Sequence, residues 1–168
     1  MKIHIIGCSG SGKTYLANAL SKKYNISHFD LDDIQWDNNA KEYGKKRTLD
    51  ERKALLQEIL YNNDEWIIEG VYYAWEQQSF DEADKIYVLD MPGYLYKSRI
   101  IMRSIKRKLG IQKGKRETLK SVYNLLKWTE TFQNKNLKEI RSILDRYDDK
   151  VIWLSRKKDV EKIIKAGF

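Results

Sequence analysis

The sequence predicts an α/β protein in which a parallel sheet of five strands carries helices on both faces, together with a helical lid. Short, nearly continuous apolar runs alternate with stretches of helical periodicity, which is typical of buried parallel strands covered by helices. The first run leads directly into a glycine-rich segment, and a strongly basic segment spans the end of a long predicted helix. Because the chain shows no internal repeat or linker, we expect residues 1–168 to form a single domain.

Five apolar runs predict the strands. They lie at residues 2–6, 26–30, 66–69, 85–89 and 151–154. Gly7 follows the first run and Gly70 follows the third, as expected where buried strands end in turns. The only proline, Pro92, comes shortly after the fourth run, where a strand-to-helix turn tolerates it.

Helical periodicity fills the stretches between these runs. The predicted helices cover residues 13–24, 48–61, 94–109, 117–132, 136–147 and 158–165. Leu16 and Leu20 show the spacing of one helix face in the first of them. Thr48 with Glu51 three residues later predicts a capping box at the start of the second.

The glycine-rich segment carries the strongest functional signal. Residues 7–14, GCSGSGKT, match the pattern G-x-x-x-x-G-K-S/T between a predicted strand and a predicted helix. Glycines let backbone amides turn toward an anion, and the helix N-terminus adds its positive dipole end. We expect Lys13 to reach the transferred phosphate and act in catalysis, and the Thr14 hydroxyl to bind Mg²⁺. The segment predicts the P-loop NTPase fold with ATP and Mg²⁺ as cofactors. The residues expected to bind ATP here are Gly7, Ser9, Gly10, Ser11, Gly12, Lys13, Thr14 and Tyr15.

Several classes of protein are excluded by what accompanies this motif. The guanine-binding signature of GTPases, Asn-Lys-x-Asp, is not completed at its only candidate, Asn134-Lys135, so we do not expect a GTPase.

The cysteine and histidine residues do not indicate a metal site. A single cysteine, Cys8, permits neither an internal disulfide nor a thiolate metal site, and we expect it to be a small filler. His4 and His28 lie in predicted strands and are expected to be packing residues. With no signal peptide and no apolar run of about eighteen residues, we expect a cytoplasmic protein without membrane contact.

The net charge of +8 is concentrated in one segment. Residues 97–120 contain ten basic residues and one acid, so the rest of the chain is nearly neutral. Arg99 and Arg103 share a helix face and could hold phosphate oxygens as catalytic groups of a lid at about residues 100–135. Two alternatives remain open: a DNA-binding surface formed by residues 97–120, or a solvated helix face.

Resemblances to two known families indicate which kind of P-loop protein to expect. The segment at residues 66–70 (WIIEG) and the run containing Asp90, Pro92, Arg99 and Arg103 resemble elements of adenylate kinase and its relatives. The phrases GSGKT, HFDLDDIQW, WIIEGVY and KRKLGIQKG resemble those of the bacterial family called DNA topology modulation proteins, over roughly residues 1–165. Both resemblances imply an adenylate-kinase-like P-loop kinase. Neither settles its physiological substrate.

The acceptor side is expected at the ends of the second and third strands. Asp30 and Asp32 resemble the paired aspartates of P-loop sugar and shikimate kinases, which implies acceptor binding by both and a catalytic role for Asp32. Glu69 with Gly70 is a further candidate for contacting Mg²⁺ or the acceptor. Aromatic residues of the same regions could stack on an acceptor, with Trp36 as the main candidate. The others are Tyr43, Tyr72, Tyr73 and Trp75.

The donor base has one candidate partner near the C-terminus. Arg156 follows the last predicted strand, where this kinase class places its adenine-contacting loop, and it could stack on the base. Together the patterns predict an ATP-dependent small-molecule kinase of the nucleoside or nucleotide kinase type, as a monomer or homodimer. The alternative is an ATP-binding regulatory protein that binds DNA through residues 97–120.

Overall fold

The computed structural model describes residues 1–37, 45–111, 118–147 and 149–167. The strands are β1 (Lys2–Gly7), β2 (His28–Asp30), β3 (Trp66–Gly70), β4 (Lys85–Leu89) and β5 (Val151–Leu154). They form one sheet in the order β2-β3-β1-β4-β5, with every pairing parallel. The P-loop NTPase class of α/β fold predicted from the sequence is therefore confirmed.

Burial of β1 shows that both faces of the sheet are covered. Successive strand residues point to opposite faces, yet Ile3, His4, Ile5 and Ile6 are all fully buried. Each of these side chains must therefore meet a helix or another packed element on its own side. This explains why the strands are apolar without alternation.

Eight α-helices surround the sheet in the described part of the chain. They are α1 (Lys13–Tyr24), α2 (Leu31–Gln35), α3 (Leu49–Asn62), α4 (Gln77–Glu82), α5 (Gly93–Lys108), α6 (Leu119–Thr131), α7 (Leu137–Leu144) and α8 (Lys157–Ala166). The predicted capping box is present, since the Glu51 amide donates to Thr48 Oγ1 and the Thr48 amide donates to Glu51 Oε2. The sequence did not predict α2 or α4, because five or six residues show too little periodicity.

The helical region after residue 118 differs from the prediction of two separate helices. A π-helical turn at Phe132–Asn136 joins α6 to α7, and a 3-10 turn at Asp145–Tyr147 follows. Phe132 is fully buried and its ring packs against Trp128, 5.4 Å between centroids. No glycine or proline interrupts this stretch, so the backbone continues as a helix and absorbs the change of direction in the wide turn.

No helix in the described ranges is long and apolar enough to cross a membrane.

Candidate active site

The phosphate loop connects β1 to α1 in the conformation that the motif predicts. Gly10 and Gly12 have φ angles of 79° and 107°, which side chains other than glycine rarely adopt. The Ser11 amide donates to the Cys8 carbonyl at 3.1 Å, closing the turn. Lys13 Nζ donates to the same carbonyl at 3.2 Å, which holds the ammonium group at the mouth of the loop. This backbone cradle and its lysine fit a triphosphate.

Arg99 on α5 is hydrogen-bonded to the phosphate loop. Its Nη1 donates to the carbonyls of Gly10 at 3.0 Å and Ser11 at 2.7 Å. A Cβ atom built on Gly12 would lie 3.3 Å from the same nitrogen. With two carbonyls held on this side, the loop amides remain available on the other. The sequence had suggested Arg99 only as a phosphate-contacting catalytic arginine, and it gave no sign of this second contact.

Glu69, at the end of β3, meets the start of α1. Thr14 Oγ1 donates to Glu69 Oε1 at 2.5 Å, and Lys13 Nζ lies 3.8 Å from Oε2. Burial is the largest influence and opposes ionisation. The nearby His28 ring, the hydrogen bond from Thr14 and the charge of Lys13 nevertheless keep the pKa of Glu69 below its usual value. The carboxylate is therefore ionised near neutral pH.

His28 is more than a packing residue. Its Nε2 lies 3.6 Å from Glu69 Oε1, and its Nδ1 lies 3.1 Å from Asn18 Oδ1. The expectation from the sequence was thus incomplete, because β2 and β3 are neighbours only in the folded sheet. His4 does fit the packing role: it is fully buried beside Ser79, and burial lowers its pKa to about 3.

Asp30, the last residue of β2, lies next to Glu69 in the sheet, and Asp32 follows two residues later. Asp30 is paired with Glu69 in the sheet register, and its Oδ1 accepts from the Asp32 amide at 2.9 Å as the N-cap of α2. Burial first, and then the charge of Glu69, raise the pKa of Asp30 to about 6. Asp32 is exposed and accepts a hydrogen bond from the Tyr72 hydroxyl at 2.6 Å. Burial and this bond raise the pKa of Tyr72, so the phenol remains a donor.

A cleft of about 860 Å³ connects these groups. The predicted site residues that line it are Ser9, Gly10, Gly12, Lys13, Thr14, Tyr15, Asp30, Asp32, Trp36, Glu69, Gly70, Arg99 and Arg103. Gly7 and Ser11 belong to the loop but not to the wall of the cleft. Gly70 allows a close approach of α2, since a Cβ there would lie 2.8 Å from Leu31 Cδ1.

Arg156 is the one predicted site residue that lies apart. It is absent from the described lining of the cleft, and its Nη2 contacts Asp159 Oδ1 at 2.9 Å. Its amide also donates to Asp159 at 3.1 Å, so the pair forms a capping box at the start of α8. The stacking role therefore has no geometric support here. Tyr43 lies outside the described residues, as does the segment 112–117 of the predicted lid.

Further residues line the cleft without having been assigned to it from the sequence. They are Gln35, Lys46, Val71, Tyr72, Arg107, Leu125 and Trp128. Leu125 and Trp128 lie three positions apart on one face of α6, a spacing that the sequence shows but that does not reveal what the face meets. Tyr72 is one of the aromatic residues that the sequence suggests for stacking on an acceptor. The sequence also suggests Lys46 for an acceptor phosphate and places Arg107 on the basic face of the long helix.

Cys8 takes no part in this chemistry. It is fully buried, and burial raises the pKa of its thiol to about 12. The thiol is therefore neutral at physiological pH and inert as a nucleophile. This agrees with its expected role as a small filler.

The described residues contain no cluster of three side chains able to hold a metal ion by themselves. The Thr14 hydroxyl and the Glu69 carboxylate are nevertheless in contact beside the phosphate loop. Such oxygen donors suit Mg²⁺ that is shared with substrate phosphates, which retains several water ligands and needs few protein ligands. The residues present thus fit Mg²⁺ bound together with a nucleotide.

Comparison with known proteins agrees with this geometry. A family model described as "AAA domain" matches residues 3–120. The curated "Uncharacterized protein YqaC" of Bacillus subtilis (strain 168) is 29% identical over 140 residues, covering 83% of this chain and 76% of that protein.

Among solved structures, shikimate kinase from Bacteroides thetaiotaomicron aligns with a TM-score of 0.56 and 17% identity, covering 99% of this chain and 95% of that chain. Shikimate kinase from Acinetobacter baumannii in complex with shikimate gives a TM-score of 0.56 and 18% identity, covering 98% and 89%. At this identity the likeness concerns the fold.

Proposed function

The chain belongs to the AAA-domain family whose model spans residues 3–120, and from that premise we propose that it is an ATP-dependent small-molecule kinase. It would transfer the terminal phosphoryl group of ATP to a hydroxyl or phosphate group of a small acceptor. The proposal concerns residues 1–168 as one domain, in which residues of about 100–135 act as a lid.

One observation carries this proposal. The phosphate loop, with Lys13 and Thr14, and the acidic residues Asp30 and Asp32 at the end of β2 line the same cleft. A protein that only hydrolyses or senses ATP has no need for a second, acceptor-sized space beside the terminal phosphate. A kinase needs both, because phosphoryl transfer depends chiefly on positioning and charge neutralisation.

The donor half follows from the loop. Backbone amides of residues 9–13 and the Lys13 ammonium would hold the β and γ phosphates. Mg²⁺, bound by Thr14 and, directly or through water, by Glu69, would bridge phosphate oxygens and neutralise their charge. Glu69 lies between Thr14 and Lys13, so its carboxylate fixes both side chains.

The acceptor half follows from the carboxylates. Asp32 is solvent-accessible and its position is fixed by the Tyr72 hydroxyl, so it can accept the proton of an attacking hydroxyl group. Asp30 lies beside it as a hydrogen-bond acceptor that orients the same compound. Arg103 and Arg107 reach the cleft from α5, and Trp128 reaches it from α6. These two helices would close over the donor and exclude water.

The DNA-binding alternative is not favoured by any observation on the described residues. Arg99, Arg103 and Arg107 line the cleft, and Lys97 pairs with Glu130 at 2.5 Å. Four of the seven basic residues of the segment that have a described position thus line the cleft or are paired, while Lys106, Lys108 and Lys120 are exposed. A role in nucleic-acid binding stays a prediction from the sequence.

A screen for acceptor-stimulated ADP release tests the proposal. The purified protein with Mg-ATP is offered nucleosides, nucleotides and small sugars, with Lys13→Ala as the blank and Lys22→Ala, an exposed position on the same helix, as the matched control. We expect at least one acceptor to stimulate ADP release in the wild type and in Lys22→Ala only. If no acceptor raises the rate above the Lys13→Ala blank, the kinase proposal is wrong.

A further inference from the structure

We propose that the acceptor is an uncharged hydroxyl compound with a planar or apolar face, and not a carboxylate or a phosphate ester. This inference rests on the proposed kinase function and specifies the substrate class of the same cleft. Three independent observations support it. The acceptor end of the cleft is acidic, the nearby arginines are already hydrogen-bonded within the fold, and aromatic side chains line the cleft.

The acceptor end of the cleft is acidic. Asp30 and Asp32 line it next to Glu69, whereas Lys46 is the one cation contributed there by the described residues of the segments that follow β2 and β3. Lys46 is exposed, and its Nζ lies 5.5 Å from the centre of the Trp36 ring, so it is positioned over an aromatic face. An anionic acceptor would have to approach these two aspartates with little compensation, because the charge of Lys13 is already paired with Glu69.

The arginines nearest to this end are engaged in holding the fold. Arg47 Nη1 donates to the carbonyls of Asp33 at 2.7 Å, Ile34 at 3.0 Å and Trp36 at 2.5 Å. Its guanidinium therefore closes the C-terminal end of α2. Arg47 is also absent from the described lining of the cleft, and its Nη2 lies 4.0 Å from Oδ1 of Asp37, so its guanidinium is engaged within this part of the fold.

Arg52 is engaged in a similar way. Its Nη1 donates to Gln35 Oε1 at 2.8 Å, its Nε donates to the Thr48 carbonyl at 3.2 Å, and its guanidinium lies over the Trp75 ring. It links α3 to α2 and supports Gln35 at the cleft wall. Neither arginine is therefore available for the bidentate hydrogen bonding by which arginine binds carboxylate and phosphate groups.

The other cations that line the cleft come from the phosphate loop and from α5. Arg99 is bonded to the phosphate loop, and Arg103 and Arg107 follow it at intervals of four residues on the same helix. Lys13 lies within the loop itself. Their charges match the phosphates of ATP, so the positive charge of the cleft is used by the donor.

The remaining walls are aromatic or apolar. Trp36, Tyr72 and Trp128 line the cleft together with Val71 and Leu125. Flat side chains of this kind pack against planar or apolar compounds, while the carboxylates accept hydrogen bonds from hydroxyl groups. An unphosphorylated nucleoside satisfies both requirements, whereas its monophosphate adds negative charge next to Asp30 and Asp32.

Matched pairs of acceptors test the inference. Nucleosides are compared with their 5′-monophosphates, and shikimate methyl ester with shikimate, by kcat/KM for ADP release and by quenching of intrinsic tryptophan fluorescence. We expect the uncharged member of an accepted pair to be preferred by about tenfold or more in both readouts. An anionic member that is used or bound equally well or better overturns the inference and leaves the kinase proposal standing.

If no compound is turned over above the Lys13→Ala blank, the kinase proposal fails. The inference is then decided by fluorescence alone: absence of a binding preference for the uncharged members contradicts it.

The variant Asp32→Asn tests the charge of this residue separately from its shape, because asparagine keeps the size of the side chain. We expect its binding preference to shrink toward equality, while Asp33→Asn, exposed on the same helix and outside the cleft wall, behaves as the wild type. Equal preferences in both variants would contradict a role for the Asp32 charge.

Discussion

The hydroxyl of Thr14 donates a 2.5 Å hydrogen bond to Oε1 of Glu69, joining the first turn of α1 to the end of β3. The contact follows from the sheet, because β1 and β3 are parallel neighbours and Ile5 is paired with Glu69. The carboxylate is thereby placed beside the loop that leaves β1. This arrangement brings the hydroxyl and carboxylate oxygens suited to a magnesium site together before any nucleotide arrives.

The first prediction concerns Glu69→Gln. The amide can still accept from Thr14 but has no charge, so the Mg²⁺ concentration for half-maximal ADP formation should rise by about tenfold or more. A Mg²⁺ titration at saturating ATP measures this. Glu58→Gln, on an exposed face of α3, serves as the control. An unchanged midpoint in Glu69→Gln would show that this carboxylate does not act on the metal.

The second prediction separates Arg99 from Arg103. Because Arg99 holds two loop carbonyls, Arg99→Ala should weaken ATP binding about tenfold and lower the free energy of unfolding by about 1–3 kcal/mol. Arg103→Ala should instead lower kcat with a smaller effect on ATP affinity. Calorimetric ATP titration and thermal unfolding distinguish the two. Lys97→Ala, on the same helix, is the control for α5, and wild-type ATP affinity in Arg99→Ala would refute the loop-holding role.

The third prediction concerns the acidic limb of the pH profile. Burial and neighbouring carboxylates raise the pKa of Asp30 to about 6. If ionised Asp30 orients the acceptor, kcat/KM for the acceptor should fall about tenfold per pH unit below pH 6 as this group is protonated. Asp30→Asn should have lower activity and lack that limb. A variant that keeps the same limb would assign the titration to another group.

The fourth prediction concerns stability and Glu76. This residue is fully buried, one of its carboxyl oxygens has no hydrogen-bond partner among the described residues, and burial raises its pKa from 4.5 to about 8. Between those values the folded protein binds a proton that the unfolded chain has lost. The free energy of unfolding should therefore decrease as the pH rises from about 4.5 to 8, by an amount on the order of a few kcal/mol.

Glu76→Gln keeps the shape of the side chain and removes this titration. Urea unfolding across the range should show a flatter pH dependence than the wild type and higher stability at pH 8. Glu58→Gln again serves as the control and should retain the wild-type slope. A slope that is identical in Glu76→Gln would mean that the buried carboxyl does not cause it.

Much of the fold and the donor half of the site could be predicted from the sequence. The motif at residues 7–14 is contiguous, so its loop geometry depends on local glycines and the following helix. The five strands were recognisable because both faces of the sheet are covered and the runs are apolar throughout. In β2 the prediction began two residues too early, at Ile26, which is buried without being paired in the sheet.

The contacts that the sequence did not reveal join residues distant along the chain. Arg99 meets Gly10 across 89 positions, and Tyr72 meets Asp32 across 40. No periodicity encodes such pairings, since they result from the order of the strands and the packing of α5 against the loop. Arg156 illustrates the reverse case. Its position after β5 suggested a contact with the adenine base, but Asp159, three residues later, pairs with it in a helix-capping box.

Following the γ-phosphoryl group of labelled ATP tests the kinase proposal most directly. The protein is incubated with Mg-ATP carrying label at the γ position and with the acceptor that gives the strongest ADP release, and the products are separated. We predict that the label appears in the phosphorylated acceptor in amounts equal to the ADP formed, and not in the Lys13→Ala variant. Label found only in inorganic phosphate, with none on any acceptor, would contradict the proposed phosphoryl transfer.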